Sequence, residues 1–124
     1  MTKRIVIVDD NAVIRRLLRN ILESAEGSWV VCDEAADGRE GVRKIQDSKP
    51  DVAVLDFMMP VMSGLEAARI LSTTVPEVPL ILCTLHADSA LESQASAAGI
   101  KGIVSKAENM QVLVSLVRTL LERA

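Results

Sequence analysis

Three aspartates stand directly after two short apolar segments of the chain. Asp9 and Asp10 follow the segment 4–8, and Asp56 follows the segment 51–55. Short runs rich in β-branched residues indicate strands, so each acidic position falls where a strand ends and a loop begins. In an open parallel α/β sheet, ligands bind in the crevice beyond the carboxyl ends of the strands. If these two strands are neighbours, three carboxylates converge in that crevice and form a site.

A pocket with three carboxylates needs a partner for its charge. Carboxylates at close range repel one another, and some of them would have to take up protons. A hard divalent cation resolves this repulsion, and Mg²⁺, which prefers carboxylate and water oxygens, is the expected ion. Asp9 and Asp10 are the candidate ligands. A second interpretation stays open, because Asp10 or Asn11 would also serve as the N-cap of a following helix.

Asp56 is the candidate nucleophile of this pocket. A carboxylate needs no deprotonation at neutral pH, and opposite Mg²⁺ it is able to attack phosphorus and form an acyl phosphate. Phosphoryl transfer depends mainly on in-line positioning and on neutralising the equatorial oxygens. The competing interpretation is that Asp56 only caps a turn or a helix. Its setting in the segment 55–64 favours the chemical role.

Two further polar residues follow apolar segments in the same way. Thr84 follows the segment 79–83, and Lys106 follows the segment 102–105. The ammonium of Lys106 is suited to bind a phosphoryl group or Asp56 as a point charge, and the hydroxyl of Thr84 to hydrogen-bond a phosphoryl oxygen. Taken singly, a strand-end lysine is usually just solvated and a strand-end threonine merely β-favourable. Together with the three aspartates, however, Thr84 and Lys106 form a set of residues that fits a phosphoryl-transfer site.

Five strand-like segments alternate with helical patterns along the chain. The strands are predicted near 4–8, 29–35, 52–55, 79–83 and 101–105. This (βα)₅ pattern indicates an α/β fold with a parallel sheet, right-handed crossovers and helices on both faces.

Capping signals and proline positions bound the predicted helices. Asp37 with Glu40, and Ser63 with Glu66, are typical of capping boxes at helix starts. The helices that they open are expected to end before Pro50 and before Pro76. A helix over 87–98 has only a thin apolar face, which is a modest sign of a shifting element. The helix over 108–123 has the clearest apolar stripe.

Composition limits the classes of function. A chain of 124 residues with 49% hydrophobic content is long enough for one domain with its own core. A formal net charge of -3 argues against direct binding of nucleic acid by this chain. The chain has no apolar stretch of membrane-spanning length and no signal peptide, so a cytoplasmic location is expected. Cys32 and Cys83 lie in apolar segments and are predicted to be buried thiols rather than a disulfide.

The arrangement resembles the response-regulator receiver domain, the CheY-like phosphoacceptor of two-component signalling. The resemblance covers the whole chain, 1–124, and rests on Asp9-Asp10, Asp56 with Pro60 and Gly64 after it, Thr84 and Lys106. It implies a flavodoxin-like doubly wound sheet of five parallel strands in the order 2-1-3-4-5.

The resemblance also implies a role for each site residue. Asp56 is similar to the phosphorylated aspartate, and Asp10 and Asp56 to the direct Mg²⁺ ligands. Asp9 would bind the ion through water, and Met58 would contribute its backbone carbonyl. Lys106 would contact the phosphoryl group. Thr84 would move toward that group as part of the switch.

Partners and output follow from the same resemblance. The phosphoryl donor would be a sensor histidine kinase or a histidine phosphotransfer protein. The output surface would be the fourth helix, fifth strand and fifth helix, contacting a second copy or an output domain. Segments 85–86 and 104–107 look most like receivers of regulators with a LuxR-type helix-turn-helix domain. This resemblance favours a receiver of a longer DNA-binding regulator, and a stand-alone relay protein stays open as the alternative.

The sequence departs from the family's pattern at three positions. Ile103 stands where members often carry an aromatic switch residue, and Ala107 stands where a proline often follows the lysine. Leu85 is large where a small residue is common, and it is expected to narrow access to the phosphoryl group. The single histidine, His86, next to it is expected to be a solvated loop residue.

Three other functions compete with that of a phosphoacceptor. An aspartyl-phosphate phosphatase would need a second acid two residues after its nucleophile, where this chain has Met58. A flavodoxin-like flavin carrier would not place Asp9 and Asp10 in its phosphate loop, because they would repel a phosphate without a metal. A phosphorylation-independent pseudo-receiver, serving only as an interaction module, remains an alternative because of Leu85 and Ile103.

Overall fold

The computed structural model describes residues 2–85, 87–106 and 109–122. His86 and the peptide bond between Lys106 and Ala107 lie outside the described residues. Five strands and five helices alternate along the chain. The strands are β1 (Lys3–Val8), β2 (Trp29–Ala35), β3 (Val52–Asp56), β4 (Leu80–Thr84) and β5 (Gly102–Ser105). The helices are α1 (Ala12–Ala25), α2 (Gly38–Ser48), α3 (Gly64–Thr74), α4 (Ser89–Ala97) and α5 (Gln111–Glu122).

The five strands form one parallel sheet in the order β2-β1-β3-β4-β5. This order confirms the predicted 2-1-3-4-5 arrangement. The order reverses beside β1, so the carboxyl ends of β1 and β3 lie side by side where ligands bind in doubly wound sheets. Asp9 and Asp56 therefore come from adjacent strand ends.

The helices cover both faces of the sheet, as expected. On one face, Leu18 and Leu22 of α1 and Leu113 and Val117 of α5 are buried in one core cluster. On the other face, α2, α3 and α4 pack over a second cluster that contains Leu71. β3 and β4 are buried along their whole length, because both of their faces lie under helices.

Two helix starts follow the strand ends that carry the aspartates. The Asn11 side chain caps α1 by accepting from the backbone N–H groups of Val13 and Ile14, at 2.9 and 3.2 Å. Of the two residues predicted as alternatives for this cap, Asn11 therefore performs it. At α3 the predicted capping box is present, with both hydrogen bonds between Ser63 and Glu66 at 3.2 Å.

The capping box predicted at α2 is only half formed. The Asp37 side chain accepts from the backbone N–H of Glu40 at 2.8 Å, as a cap does. The Glu40 carboxylate does not return a bond to the cap residue, because it pairs instead with Lys44 one helical turn later, at 2.9 Å.

The prediction of two buried thiols is correct for Cys83 and wrong for Cys32, although both cysteines are free. Ile5 of β1 pairs with Val31 and Val6 pairs with Asp33, so Cys32 is the extra residue of a β-bulge in the edge strand β2. A bulge residue leaves the regular alternation of a strand, and Cys32 is accordingly exposed.

Over the part of the chain that the structure describes, no helix has both the length and the apolar character that a membrane span requires.

Candidate functional site

The predicted site residues meet in a cavity of about 600 Å³ at the carboxyl edge of the sheet. The loops after β1, β3, β4 and β5 all contribute to its wall. It is lined by Asp9, Asp10, Asn11, Ile14, Asp56, Phe57, Met58, Thr84, Leu85 and Lys106.

The three carboxylates converge as the sequence predicts. One carboxylate oxygen from each of Asp9, Asp10 and Asp56 lies within 4.8 Å of the other two. Asp9 and Asp56 are almost fully buried, with 1% and 6% of their surface exposed. Asp10 is exposed at the mouth of the cavity. The cluster thus presents oxygen ligands on one open side, which is the donor set that a hard cation such as Mg²⁺ prefers.

Lys106 lies between two of these carboxylates. Its Nζ is 2.9 Å from Asp9 Oδ2 and 3.0 Å from Asp56 Oδ1. The backbone N–H of Lys106 donates to the carbonyl of Thr84 at 2.6 Å, which anchors the residue at the end of β4. The loop after β5 therefore delivers one cation to a cluster of three anions, and a net negative charge is left for a metal ion to balance.

Burial and neighbouring charges shift the pKa values of Asp56 and Lys106. Burial raises the pKa of the Asp56 carboxyl above its ordinary value, and the charges of Asp9 and Asp10 act in the same direction while Lys106 opposes them. Burial alone would lower the pKa of Lys106, but its hydrogen bonds to Asp9 and Asp56 outweigh this and hold that pKa above the usual range. Lys106 thus stays cationic. Any additional positive charge at the cluster would stabilise the ionised form of Asp56.

Thr84 and Ile103 occupy different places around the site. Thr84 is buried at the end of β4, lines the cavity and lies opposite Ser105 in the sheet. Ile103 is partly buried on β5 against the core cluster under α2–α4, and it is not among the described residues that line the cavity. The two residues sit on neighbouring strands, but the structure does not bring the Ile103 side chain to the acidic cluster.

Apolar side chains form the rim of the cavity. Leu85 and Met58 are 63% and 71% exposed there. Ile14 and Phe57 also line the wall, and the sequence analysis did not predict either of them as site residues. Ile14 belongs to the apolar stripe of α1, and nothing in the sequence marks that its first turn reaches the site.

The fixed turn between β3 and α3 holds the Asp56 region against the sheet. Gly64 begins α3, and its backbone N–H donates to the carbonyl of Phe57 at 2.9 Å. A Cβ atom at Gly64 would collide with the carbonyl oxygen of Asp56, so only glycine allows this approach. Val61, in the same turn, has a φ of 71°, in the left-handed region that favours glycine.

Arg15 contacts the site, although the sequence does not mark it as a site residue. Its Nη1 donates to the backbone carbonyl of Asp9 at 2.7 Å. The arginines of α1 share one polar face in the sequence pattern, and no signal there separates Arg15 from Arg16 or Arg19.

The chain matches the family described as response regulator receiver domain over residues 5–118. It is 36% identical to the chemotaxis protein CheY of Thermotoga maritima over 106 residues, which cover 86% of this chain and 87% of that protein. It is 34% identical to the response regulator UvrY of Escherichia coli over 115 residues, 93% of this chain and 52% of UvrY. The chain therefore spans about half the length of UvrY.

A solved structure gives the same architecture. The two-component response regulator of the LuxR family from Aurantimonas sp. superposes with a TM-score of 0.93 at 31% identity. The superposition covers 99% of this chain and 87% of the other.

Proposed function

This chain belongs to the family of response regulator receiver domains, and from that premise we propose that Asp56 accepts a phosphoryl group from a phosphohistidine. The donor is a sensor histidine kinase or a histidine phosphotransfer protein. The observation that carries the proposal is the convergence of Asp9, Asp10 and Lys106 on the buried Asp56 carboxylate. An aspartate that only caps a turn or a helix would not need two further carboxylates and a lysine around it.

The acidic cluster fits the divalent ion that this transfer requires. All of its donors are carboxylate oxygens, and burial together with the charges of Asp9 and Asp10 disfavours the negative charge of Asp56. Asp10 and Asp56 are proposed as direct Mg²⁺ ligands, Asp9 as a ligand through water, and Met58 as a ligand through its backbone carbonyl. When bound, the ion neutralises charge on the transferring phosphoryl oxygens.

Asp56, Lys106 and Thr84 each have a separate role in the phosphoryl transfer. An Asp56 oxygen attacks phosphorus while the bond from phosphorus to the histidine nitrogen breaks, and the bonding electrons leave with the imidazole. Lys106, already in contact with Asp56 at 3.0 Å, supplies a second positive charge to the phosphoryl oxygens. The Thr84 hydroxyl, at the end of β4, hydrogen-bonds a phosphoryl oxygen.

Phosphorylation is proposed to act by shifting a two-state equilibrium. Thr84 moves toward the phosphoryl group, and Ile103 on the neighbouring strand responds to the space that this movement changes. The affected surface consists of α4, β5 and α5, and it contacts a second copy or an output domain. α4 is suited to this role because Leu91 and Ala95 are its only buried residues in the described structure.

The output is a change in protein contact rather than catalytic turnover. Receivers like CheY and UvrY are regulators rather than enzymes, and Met58 stands where a phosphatase would need its second acid. We place residues 1–124 as one cytoplasmic receiver domain that binds neither nucleic acid nor membrane itself. The LuxR-family likeness favours a DNA-binding output domain elsewhere in the same protein.

Intact-mass measurement after incubation with acetyl phosphate tests this function. The wild-type chain is expected to gain one phosphoryl group with Mg²⁺ and none with a chelator. Asp56→Asn is expected to gain none, whereas Asp47→Asn, an exposed aspartate of α2, gains it normally. Absence of any gain in the wild type would instead support a phosphorylation-independent pseudo-receiver.

A further inference from the structure

Asp9 is held at each of its oxygen atoms. Its Oδ1 accepts from the backbone N–H of Asn11 at 2.9 Å, and its Oδ2 accepts from Lys106 Nζ at 2.9 Å. Its backbone carbonyl accepts from Arg15 Nη1 at 2.7 Å. Two of these donors belong to the loop and the proposed phosphoryl site. The third comes from α1 and serves no part of the function described so far.

Arg15 is itself fixed by an ion pair on the edge strand. Its Nε donates to Glu34 Oε1 of β2 at 3.1 Å, while Arg19 Nε donates to the other Glu34 oxygen at 2.7 Å. The side chains of Arg15 and Glu34 are only 20% and 25% exposed. A planar guanidinium can hold two acceptors in one fixed geometry, and here one acceptor is a carboxylate and the other is the Asp9 carbonyl. The Glu34 carboxylate thereby fixes the direction in which Arg15 donates.

The carbonyl that Arg15 binds belongs to the peptide between Asp9 and Asp10. A fixed peptide plane sets the direction of the Asp10 side chain as well as that of Asp9. Asp10 is exposed at the cavity mouth and has no cap to make, because Asn11 caps α1. We propose that Arg15, oriented by Glu34, is a positioning residue that aims the Asp9 and Asp10 carboxylates into the cation site beside Asp56. This inference rests on the proposed Mg²⁺ site.

Removal of Arg15 is expected to change the affinity for Mg²⁺ in one direction through its charge and in the opposite direction through its positioning role. A positive charge close to a cation site disfavours the cation, so its removal alone would tighten Mg²⁺ binding. Loss of the hydrogen bond to Asp9 would loosen the ligand arrangement and weaken binding. Residues that orient metal ligands typically change metal affinity by about ten- to a hundredfold when they are removed. The sign of the change therefore separates the two roles.

Calorimetric titration of the metal-free chain with Mg²⁺ tests the proposal. Arg15→Gln is expected to raise the Kd about tenfold. Arg15→Lys keeps the charge but cannot span both acceptors, and it is also expected to raise the Kd. Arg16→Gln is the matched control, because it removes the same charge from an exposed neighbour on α1, and its Kd is expected to equal that of the wild type or to fall slightly.

Each outcome decides one question. A Kd for Arg15→Gln equal to or below that of the wild type overturns the positioning role, and a wild type that binds no Mg²⁺ refutes the proposed cation site itself. Loss of folded protein lowers the binding stoichiometry rather than raising the Kd, so the two are distinguishable. If Arg15→Gln does not fold, Glu34→Ala, which removes both carboxylate oxygens that hold Arg15 and Arg19, is expected to raise the Kd as well, and an unchanged Kd in that variant contradicts the proposal.

Discussion

The Asp56 carboxylate destabilises the metal-free fold in which it sits. Burial raises its pKa above the ordinary value of 3.8, and Asp9 and Asp10 add to that effect. A raised carboxyl pKa in the folded state means that this group favours folding below its unfolded pKa. That contribution is lost as the pH rises through the folded pKa. Above that range the ionised carboxylate opposes folding.

Asp56→Asn is therefore expected to raise the Tm of the metal-free chain at neutral pH. The amide removes the buried charge and keeps an oxygen that accepts from Lys106. The predicted gain is a few degrees, as about 1 kcal/mol produces in a domain of this size. Differential scanning calorimetry in chelator measures it.

The pH dependence and an exposed aspartate provide the controls for this prediction. The difference in Tm between wild type and Asp56→Asn should shrink as the pH falls, because the wild-type carboxyl then becomes protonated. Asp47→Asn removes a charge from the surface of α2 and should leave the Tm nearly unchanged. A lower Tm for Asp56→Asn than for the wild type would contradict the account of this carboxylate.

Val61 is a second residue that lowers the stability of the fold, because its backbone conformation is strained. Its φ of 71° lies in the left-handed region, which β-branched residues rarely adopt. The backbone N–H of Met62 donates to the carbonyl of Pro60 at 2.8 Å, so Val61 is the central residue of a γ-turn. This turn lies between Asp56 and α3, where the loop has to reverse sharply to bring Gly64 against the strand.

Val61→Gly is expected to stabilise the chain by about 1 kcal/mol, because glycine adopts this conformation without the Cβ clash. Urea unfolding measures the change. Val112→Gly is the comparison, since Val112 is also an exposed valine but lies in α5, where glycine should be destabilising. Equal destabilisation by both substitutions would show that Val61 is not strained.

At the scale of single elements, the local sequence predicts where the helices begin better than it predicts which side chains contact one another. Asn11, Asp37 and Ser63 each cap a helix because a short polar side chain there satisfies N–H groups that no helix bond reaches. The spacing of Glu40 from Asp37 predicts a capping box. The structure pairs it with Lys44 instead, and only a competition between two nearby partners decides such a case.

The bulge in β2 explains why one cysteine prediction failed. Alternation along a strand assumes an unbroken register, and nothing in the apolar segment 29–35 shows that the register shifts at Cys32. Cys83 lies in β4, which is buried along its length, and burial raises its pKa to about 11. The two thiols therefore differ in access, and burial also holds the Cys83 thiol in its neutral form.

A maleimide at pH 8 should modify one thiol of the native chain, Cys32, and both thiols after denaturation. About one in a thousand of the Cys83 thiols would be ionised at that pH, and the thiolate is the reactive form. Peptide mapping after timed labelling identifies the modified residue. Labelling of Cys83 in the native chain at a rate similar to that of Cys32 would contradict the described packing of β4.

At the scale of the whole molecule, the alternation of strands and helices could be predicted from the sequence, but their order in the sheet could not. Periodicity assigns a residue to a face, whereas the place of β2 at the edge and of β1 beside β3 depends on contacts between distant segments. The order 2-1-3-4-5 came from the family resemblance. Once β1 and β3 are neighbours, the convergence of Asp9 and Asp56 follows directly.

Residues that reach the site from a helix were the hardest part of the site to predict. Asp56, Thr84 and Lys106 each follow an apolar strand, and that position marks them. Ile14 and Arg15 come from the first turns of α1, and they reach the site only because of how that helix packs against the sheet. Their roles depend on direction and distance, which sequence spacing does not supply.

The central claim is that Asp56 itself becomes the acyl phosphate. Borohydride reduces an acyl phosphate to an alcohol, so a phosphorylated aspartate becomes homoserine while a free carboxylate is unchanged. We would incubate the chain with acetyl phosphate and Mg²⁺, reduce it, and locate the change by peptide mass spectrometry. Homoserine at position 56, absent when a chelator replaces Mg²⁺, is the predicted result. Homoserine at another aspartate, or none at position 56, would contradict the claim.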